Sequence, residues 1–186
     1  MQIRIAEKAD LDAIMEVYDR AREHMREAGN PNQWADGYPS RLMIAQDVLR
    51  GVQFVCEDED GAVVGTFCLQ AGPEKSYLKI EGEPWLNDVP YFVIHRFAAH
   101  ESGEGVGGAM MDWICKAANN VRTDTHEDNA GMQALLESRG FKRCGTIHLA
   151  DGSPRIGYHY ARPDERTLDK GGILSWLPWR HTGLGR

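Results

Sequence analysis

Apolar and polar positions alternate, or recur at helical spacing, along most of this chain. Residues 2–6 (QIRIA) alternate, which predicts a short half-buried strand. From Leu11 the apolar residues recur at helical spacing as far as Gly29, a residue type that commonly follows a helix. Ser40 lies where an N-cap is expected, before a second helix over 41–51. The first part of the chain therefore predicts a strand followed by two helices.

The rest of the chain combines strands with two further helices. Two strand-like runs, 52–58 and 62–70, flank a turn signal at 59–61 and predict a hairpin. Residues 72–89 are rich in Gly, Pro and Glu and predict an irregular excursion. The remaining predicted elements are a strand at 91–99, a helix at 107–120, a strand at 121–125, a helix at 129–140 and an antiparallel strand pair at 141–150 and 154–161.

This order of elements joins an antiparallel meander to a single β-α-β crossover. Such an order predicts one twisted, mixed, mostly antiparallel sheet with helices on both faces. The predicted fold class is therefore α/β with a mixed sheet, in a single domain over residues 1–161. Residues 162–186 contain two tryptophans and are expected to form a tail that packs on this domain or across a homodimer.

The composition and net charge limit the classes of partner that the protein is expected to bind. The chain has 186 residues, of which 42% are hydrophobic and 26% charged, as in an ordinary globular domain. A formal net charge of −7 argues against a nucleic-acid partner, because such proteins usually carry a basic face. We see no apolar run long enough to span a membrane and no leader-like start. We therefore expect a cytoplasmic protein without nucleic-acid or membrane partners.

Four scattered cysteines argue against a metal centre. None of them forms a C-x-x-C pair, and each lies in an apolar run. We interpret them as small buried hydrophobic residues in a reducing compartment, and we predict no metal.

The segment HESGEGVGGAMMDW (100–113) contains the strongest functional signal. Its glycines follow a predicted strand and precede a predicted helix. Backbone amides from Gly103 to Gly108 can converge on one point, and the helix adds its positive dipole end there. Such a nest suits a phosphate or pyrophosphate, whereas a tight turn without a ligand is the alternative.

Two ligand classes compete for this nest. GEGVGG formally fits the dinucleotide fingerprint G-x-G-x-x-G, and Asp124 at the end of the next strand could contact a ribose, which would indicate an NAD-dependent oxidoreductase. However, that fingerprint normally opens a series of β-α-β units, and only one such unit is predicted here.

From VIHRFAA through GEGVGGAMM to NAGMQALLESRGF, the chain resembles the GNAT superfamily of N-acetyltransferases. The family motif Q/R-x-x-G-x-G/A falls on Ser102, Gly105 and Gly107. A second family landmark is an Asn followed eleven and twelve residues later by Gly-Phe, matched by Asn129 and Gly140-Phe141. The segments NQWADGYPS and THEDN are similar to a bacterial branch whose acceptors are mostly unassigned.

The resemblance implies a sheet that splays after its fourth strand and holds acetyl-CoA as co-substrate. The pantetheine arm would pair with the backbone of Phe97, Ala98 and Ala99, and the oxyanion donors would be N–H groups near the last two. The acetyl group would pass to a small-molecule primary amine by direct attack in a ternary complex. The residues expected to hold acetyl-CoA are Phe97, Ala98, Ala99, Gly103, Gly105, Val106, Gly107, Gly108 and Asn129.

The sequence does not single out one catalytic residue. His95 and His126 are candidate bases, because imidazole titrates near working pH. The alternatives are a packed core histidine for His95 and, for His126, a place next to Asp128. Asp128 itself is expected to be the N-cap of the following helix rather than a catalyst. Leu136 occupies the family's usual position for an acidic Tyr, so Tyr158, Tyr160 or His126 would have to substitute, or the thiolate could leave unaided. Arg96 is expected on the opposite sheet face from His95.

The loop 30–40 is expected to line the acceptor pocket. Trp34 and Tyr38 could wall an apolar or cationic group, and Asp36 could attract an ammonium. The alternative is a surface loop fixed by its aromatics. The excursion at 72–89 could form the opposite wall or be a plain insertion. Because Ser102 and Glu104 replace usual basic residues, a silent acyl-CoA sensor or interaction module also stays open.

Overall fold

The computed structural model describes residues 1–100 and 105–162. The elements follow the predicted order. The strands are β1 (Gln2–Ile5), β2 (Gln53–Glu57), β3 (Val63–Ala71), β4 (Phe92–Ala99), β5 (Asn120–Thr125), β6 (Lys142–His148) and β7 (Pro154–Ala161). The α-helices are α1 (Leu11–Glu27), α2 (Arg41–Leu49), α3 (Val106–Ala117) and α4 (Ala130–Ser138).

The strands form one seven-stranded sheet in the order β1-β2-β3-β4-β5-β7-β6. Every neighbouring pair is antiparallel except β4 and β5, which are parallel. The β4–β5 pairing is limited to Phe92 with Val121 and Val93 with Arg122. Beyond these pairs the two strands separate, so the predicted splayed mixed sheet is confirmed.

Alternate residues of β2 belong to two separate cores, one on each face of the sheet. Phe54 of β2 packs with Met110 of α3, whereas its neighbour Val55 packs with Ile14 and Tyr18 of α1. This alternation follows from the two-residue period of a strand. Helices therefore cover both faces of the sheet, as predicted.

Several predicted element ends differ from the structure by one to three residues. The helix predicted to run to 120 ends at Ala117, because Ala118 is already extended and Asn120 begins β5. Asn129 is the N-cap of α4, and its side chain accepts a hydrogen bond from the Met132 N–H at 3.0 Å. Asp128 therefore does not cap this helix, whereas Ser40 caps α2 as predicted.

The excursion at 72–89 packs over the sheet. The rings of Tyr77 and Trp85 pack at a tilt, with centroids 5.2 Å apart, and join a small core with Val93. The guanidinium of Arg122 lies between two rings, 4.7 Å from Trp85 and 4.0 Å from Tyr91. These contacts hold the excursion against β4 and β5, where it can border a site.

In the described part of the chain, every helix is too short or too polar to span a membrane. The predicted tail, from 163 onward, lies outside the described residues. Its packing on the domain or across a homodimer stays a prediction, as does the cytoplasmic location.

Candidate active site

An open cleft of about 1450 Å³ lies where β4 separates from β5. Its walls come from the loop 30–40, the excursion 72–89, the second half of β4 and the starts of α3 and α4. The predicted site residues that line it are Trp34, Asp36, Tyr38, His95, Phe97, Ala98, Ala99, Gly105, Gly107, Gly108 and Asn129. The fold therefore brings most of the predicted residues into one cleft.

The start of α3 forms one end of this cleft. Gly105 is the N-cap with a φ of 80°, a conformation that favours glycine, and it offers no side chain to cap the helix. The first-turn amides of an α-helix have no intrahelical acceptor, so they suit an anionic group. Gly107 and Gly108 line the cleft here, whereas the Val106 side chain is buried in the core. Gly103 lies outside the described residues, with Ser102 and Glu104.

A cation that the sequence analysis missed lies over this helix start. A Cβ on Gly108 would be 2.5 Å from Nη2 of Arg139, so the guanidinium lies directly over that glycine. Arg139 is held there by Asp112, whose carboxylate accepts from Nε at 2.9 Å, and by the hydroxyl of Ser138 at 2.8 Å. Met132, Leu135 and Arg139 recur at helical spacing. This spacing, visible in the sequence, could have indicated that Arg139 lies on the same helix face as the other two.

The second half of β4 forms the floor of the cleft. His100 N–H donates to Val64 O at 2.7 Å, on the β3 side. Because N–H groups of successive residues point to opposite sides of a strand, the Ala99 and Phe97 N–H groups point to the side that β5 has left. The Ala98 N–H points toward β3 instead. Two of the three predicted backbone positions can therefore face a ligand along this edge.

A β-bulge interrupts β4 at Arg96. His95 is paired with Cys68 and Ala98 with Thr66, so β4 has one residue more than β3 in this interval. Arg96 takes a positive φ of 51° there. The bulge breaks the strand alternation, and both His95 and Arg96 line the cleft. The prediction that they face opposite sides of the sheet is therefore wrong.

A buried network holds this bulge. The Tyr18 hydroxyl donates to the Arg96 carbonyl oxygen at 2.9 Å and accepts from Nε2 of Gln53 at 3.0 Å. Gln53 also donates to the Thr66 hydroxyl at 2.7 Å, which itself donates to Phe54 O at 2.7 Å. Burial raises the pKa of Tyr18, so its hydroxyl stays protonated and donates. The two N–H bonds of Gln53 and the hydroxyls of Tyr18 and Thr66 each have their own acceptor. This arrangement fixes the direction of the Arg96 carbonyl at the bulge.

His95 and Glu74, which both line the cleft, form a hydrogen-bonded pair. Nε2 of His95 lies 3.1 Å from Oε2 of Glu74. The hydrogen bond from His95 lowers the pKa of Glu74 to about 2, so this carboxylate is ionised at neutral pH. An ionised carboxylate only accepts hydrogen bonds, so Nε2 carries the proton and Nδ1 is the basic nitrogen. His95 is therefore an oriented imidazole on the cleft wall.

The loop 30–40 forms the wall on the α1 side. Trp34 meets Tyr18 edge-on, with ring centroids 5.6 Å apart, and lies 6.4 Å from Tyr38. Arg96 forms an ion pair with Asp47, whose side chain is only 4% exposed. The cleft therefore combines aromatic surface with buried charges.

Comparison with known proteins identifies the family. No protein-family model and no curated protein matches the sequence. Among solved structures, a GNAT-family acetyltransferase from Streptococcus agalactiae is similar, with 30% identity, a TM-score of 0.76 and coverage of 88% of this chain and 96% of that chain. This chain belongs to the GNAT family of acetyltransferases.

Other GNAT structures share the fold at lower identity. An acetyltransferase from Listeria monocytogenes is 20% identical, with a TM-score of 0.61 and coverage of 85% of this chain and 92% of that chain. A ribosomal-protein-alanine N-acetyltransferase from Brucella melitensis is 20% identical, with a TM-score of 0.57 and coverage of 87% and 100%. The GNAT assignment confirms the predicted acetyltransferase class, and nothing favours the dehydrogenase alternative.

Two predicted catalytic residues of this GNAT protein lie away from the cleft lining. Tyr158 is fully buried, and its hydroxyl donates to Glu137 at 3.0 Å. Nδ1 of His126 accepts from the Asp128 N–H at 3.2 Å, so His126 supports the turn before α4. Neither side chain lines the cleft. We therefore retain His95 alone of the three.

Helix α4 and its N-cap contain two further residues that the sequence singled out, Leu136 and Asn129. Leu136, at the position where the family often has an acidic Tyr, is fully buried in the main core. Asn129 caps α4 and donates to Oε1 of Gln33 at 2.8 Å, which ties this helix start to the loop 30–40. Asn129 therefore holds two walls of the cleft together.

Proposed function

We propose that this GNAT protein transfers the acetyl group of acetyl-CoA to a small-molecule primary amine by direct attack in a ternary complex. The observation that carries the proposal is the Glu74–His95 pair, which lies in the same cleft as the free edge of β4 and the start of α3. A general base and backbone donors thus share one cavity.

Acetyl-CoA is the donor that the family implies, and the chain offers groups that fit it. The first-turn amides of α3 and the nearby Arg139 guanidinium suit its diphosphate. The N–H groups of Phe97 and Ala99, on the edge of β4 that faces away from β3, suit a pantetheine arm laid along the strand. These residues are the proposed donor half of the cleft.

His95 is the proposed general base. Nδ1 takes a proton from the acceptor amine while the amine nitrogen bonds to the acetyl carbonyl carbon. The Ala99 N–H donates to the carbonyl oxygen as it gains negative charge. The C–S bond then breaks, and its electron pair leaves on sulfur. A thiol pKa of about 8.5 makes this thiolate a tolerable leaving group without a dedicated acid, consistent with Leu136.

Trp34, Asp36 and Tyr38 are the proposed acceptor wall. They line the cleft on one side, and the excursion 72–89 supplies Glu74 and Lys75 on the other. Walls on two sides support a small molecule over an extended protein segment as the acceptor.

The proposal is tested by following release of the CoA thiol with a panel of small amines and one short peptide. We expect acetyl-CoA to raise the melting temperature and small amines to be acetylated. His95→Ala should lower kcat about 100-fold. His126→Ala, outside the cleft lining, is the matched control and should keep the wild-type rate.

Other results would change the assignment. Stabilisation by acetyl-CoA without turnover of any amine would indicate the silent acyl-CoA sensor. Full activity of His95→Ala would remove His95 as the base. No stabilisation at millimolar acetyl-CoA would contradict the donor half of the proposal.

A further inference from the structure

A buried arginine in the cleft has no assigned role in the transfer. Arg155, near the start of β7, is only 8% exposed and lines the cleft. Its Nη1 donates to the Pro154 carbonyl at 2.9 Å. Across residues 1–100 and 105–162, no carboxylate forms an ion pair with this guanidinium, and its Nε and Nη2 have no hydrogen-bond acceptor.

Strand register places Arg155 beside the reacting groups. Gly157 is opposite Asp124 of β5, and Arg155 lies two residues earlier on the same face of β7. The distance along the strand is therefore roughly 7 Å, which a guanidinium side chain can span. Asp124 and His95 line the same cleft. Burial raises the pKa of Asp124, whereas the charges of His95 and Arg155 oppose that rise, which supports their proximity.

Asp124 does not neutralise Arg155 through a hydrogen bond. Its Oδ1 accepts from the Tyr77 hydroxyl at 2.6 Å. Asp151 also interacts with Arg155 only through space, by charge and without a hydrogen bond. A ligand acid group within reach could therefore form the hydrogen-bonded ion pair that neither carboxylate supplies. The free donors of Arg155 form a fork that matches a carboxylate.

The other cationic side chains that line the cleft already form ion pairs or are exposed to solvent. Arg96 and Arg50 both contact Asp47, and Arg139 contacts Asp112. Lys75 is exposed at the rim, where water solvates its ammonium. Arg96 also has a free Nε, but that atom is buried and its Nη2 is held by Asp47. Within the described ranges, Arg155 is the cleft cation whose Nε and Nη2 are both without an acceptor.

We propose that Arg155 binds an acid group of the acceptor, so that the acceptor class is an amine that also carries a carboxylate. This inference rests on the proposed function, since it needs an acceptor amine beside His95. The ammonium end enters near Glu74 and Asp124, and the carboxylate end binds the Arg155 fork. A site built for a charged group rejects an analogue that lacks it, because the buried cation is then left unpaired.

The test compares amines that differ only in the carboxylate. The probes are L-phenylalanine with phenethylamine, and L-methionine with 3-(methylthio)propylamine. We expect kcat/KM to be roughly 10- to 100-fold higher for each amino acid. Arg155→Gln should remove this preference by raising KM for the amino acids only, and Arg155→Lys should retain part of it. Arg20→Gln, which removes a positive charge from the exposed face of α1, is the control and should change neither KM.

A second measurement needs no turnover. 3-Phenylpropionate carries a carboxylate but no amine, and its binding is measured by calorimetry with wild type, Arg155→Gln and Arg155→Lys. We expect at least about tenfold weaker binding to Arg155→Gln. Equal binding to all three proteins, or equal use of both members of each amine pair, would overturn the role of Arg155. Binding that depends on Arg155 in a protein that acetylates no amine would leave the carboxylate site standing and refute the proposed transfer.

Discussion

The hydroxyl of Tyr18 donates to the carbonyl oxygen of Arg96 at 2.9 Å, across 78 positions of sequence. Both the tyrosine ring and its second partner, Gln53, are fully buried. This hydrogen bond connects α1 to the bulge of β4, immediately before the backbone that we propose contacts the thioester. The first helix thus helps to set the conformation of β4 at this point.

We expect Tyr18→Phe to lower kcat about tenfold with KM for acetyl-CoA nearly unchanged. The substitution leaves the Arg96 carbonyl without its donor, so the bulge and the following N–H groups lose their fixed direction. The buried unsatisfied carbonyl should also lower the free energy of unfolding by about 1–2 kcal/mol. Steady-state kinetics and urea unfolding measure the two effects.

Tyr158→Phe is the matched control for this variant. Tyr158 is equally buried, but its hydroxyl donates to Glu137, away from the cleft. We expect a loss of stability without a change in kcat. If both variants lost the same fraction of kcat, the hydroxyl of Tyr18 would have no special relation to catalysis.

The ionisation of Glu74 should make stability depend on pH in the acid range. Its pKa is lowered from the ordinary 4.5 to about 2 by the hydrogen bond from His95. A lowered pKa means that the stabilisation is complete above about pH 4.5 and is lost as the pH falls toward 2. Because solvent screens this partly exposed pair, we expect Glu74→Gln to cost only about 0.5–1 kcal/mol at pH 7.

Thermal unfolding of wild type and Glu74→Gln between about pH 7 and pH 2.5 checks this expectation. The two melting temperatures should converge as the pH is lowered. Glu16→Gln, which removes a carboxylate paired with Arg20 on exposed α1, should change stability little at pH 7. A difference between wild type and Glu74→Gln that grows in acid would contradict the assigned ionisation.

Two adjacent glycines of α3 should differ in their effect on acetyl-CoA affinity. A Cβ at Gly108 would meet the Arg139 guanidinium at 2.5 Å, whereas a Cβ at Gly107 would meet Leu135 at an ordinary 3.5 Å. Gly108→Ala should therefore displace the cation and weaken acetyl-CoA binding about three- to fivefold, the range of a partly exposed charge contact. Gly107→Ala should bind as the wild type does.

Calorimetric titration of acetyl-CoA into both variants separates these outcomes. Each alanine should also stabilise the helix by up to about 1 kcal/mol, so weaker binding by Gly108→Ala would not reflect unfolding. Arg139→Gln should reproduce the Gly108→Ala loss, and the double variant should lose no more. Equal affinities for both alanine variants would show that the guanidinium position does not matter.

The local pattern of the sequence was sufficient to predict the order of the helices and strands. It also predicted the glycine-rich segment between β4 and α3. Periodicity indicates which face of each helix or strand is buried. In the structure, Phe54 and Val55 illustrate that both faces of β2 pack in a core. The resemblance to the GNAT family directed attention to Trp34 and Tyr38, because the loop between the first two helices lines the acceptor pocket in that family.

Which side chains contact one another could be learned only from the tertiary structure. Sequence alternation places Arg96 opposite His95, but the bulge that reverses this depends on Tyr18, a residue of another element. Likewise, Glu74 comes from an irregular segment without periodicity, so nothing local indicated that it would reach His95. Burial periodicity depends on one segment at a time, whereas contacts among His95, Arg139, Arg155 and their neighbours depend on register and packing between segments. Local patterns and motif spacing therefore indicate the family fold and the position of the cleft, whereas packing between distant segments selects the side chains that meet inside it.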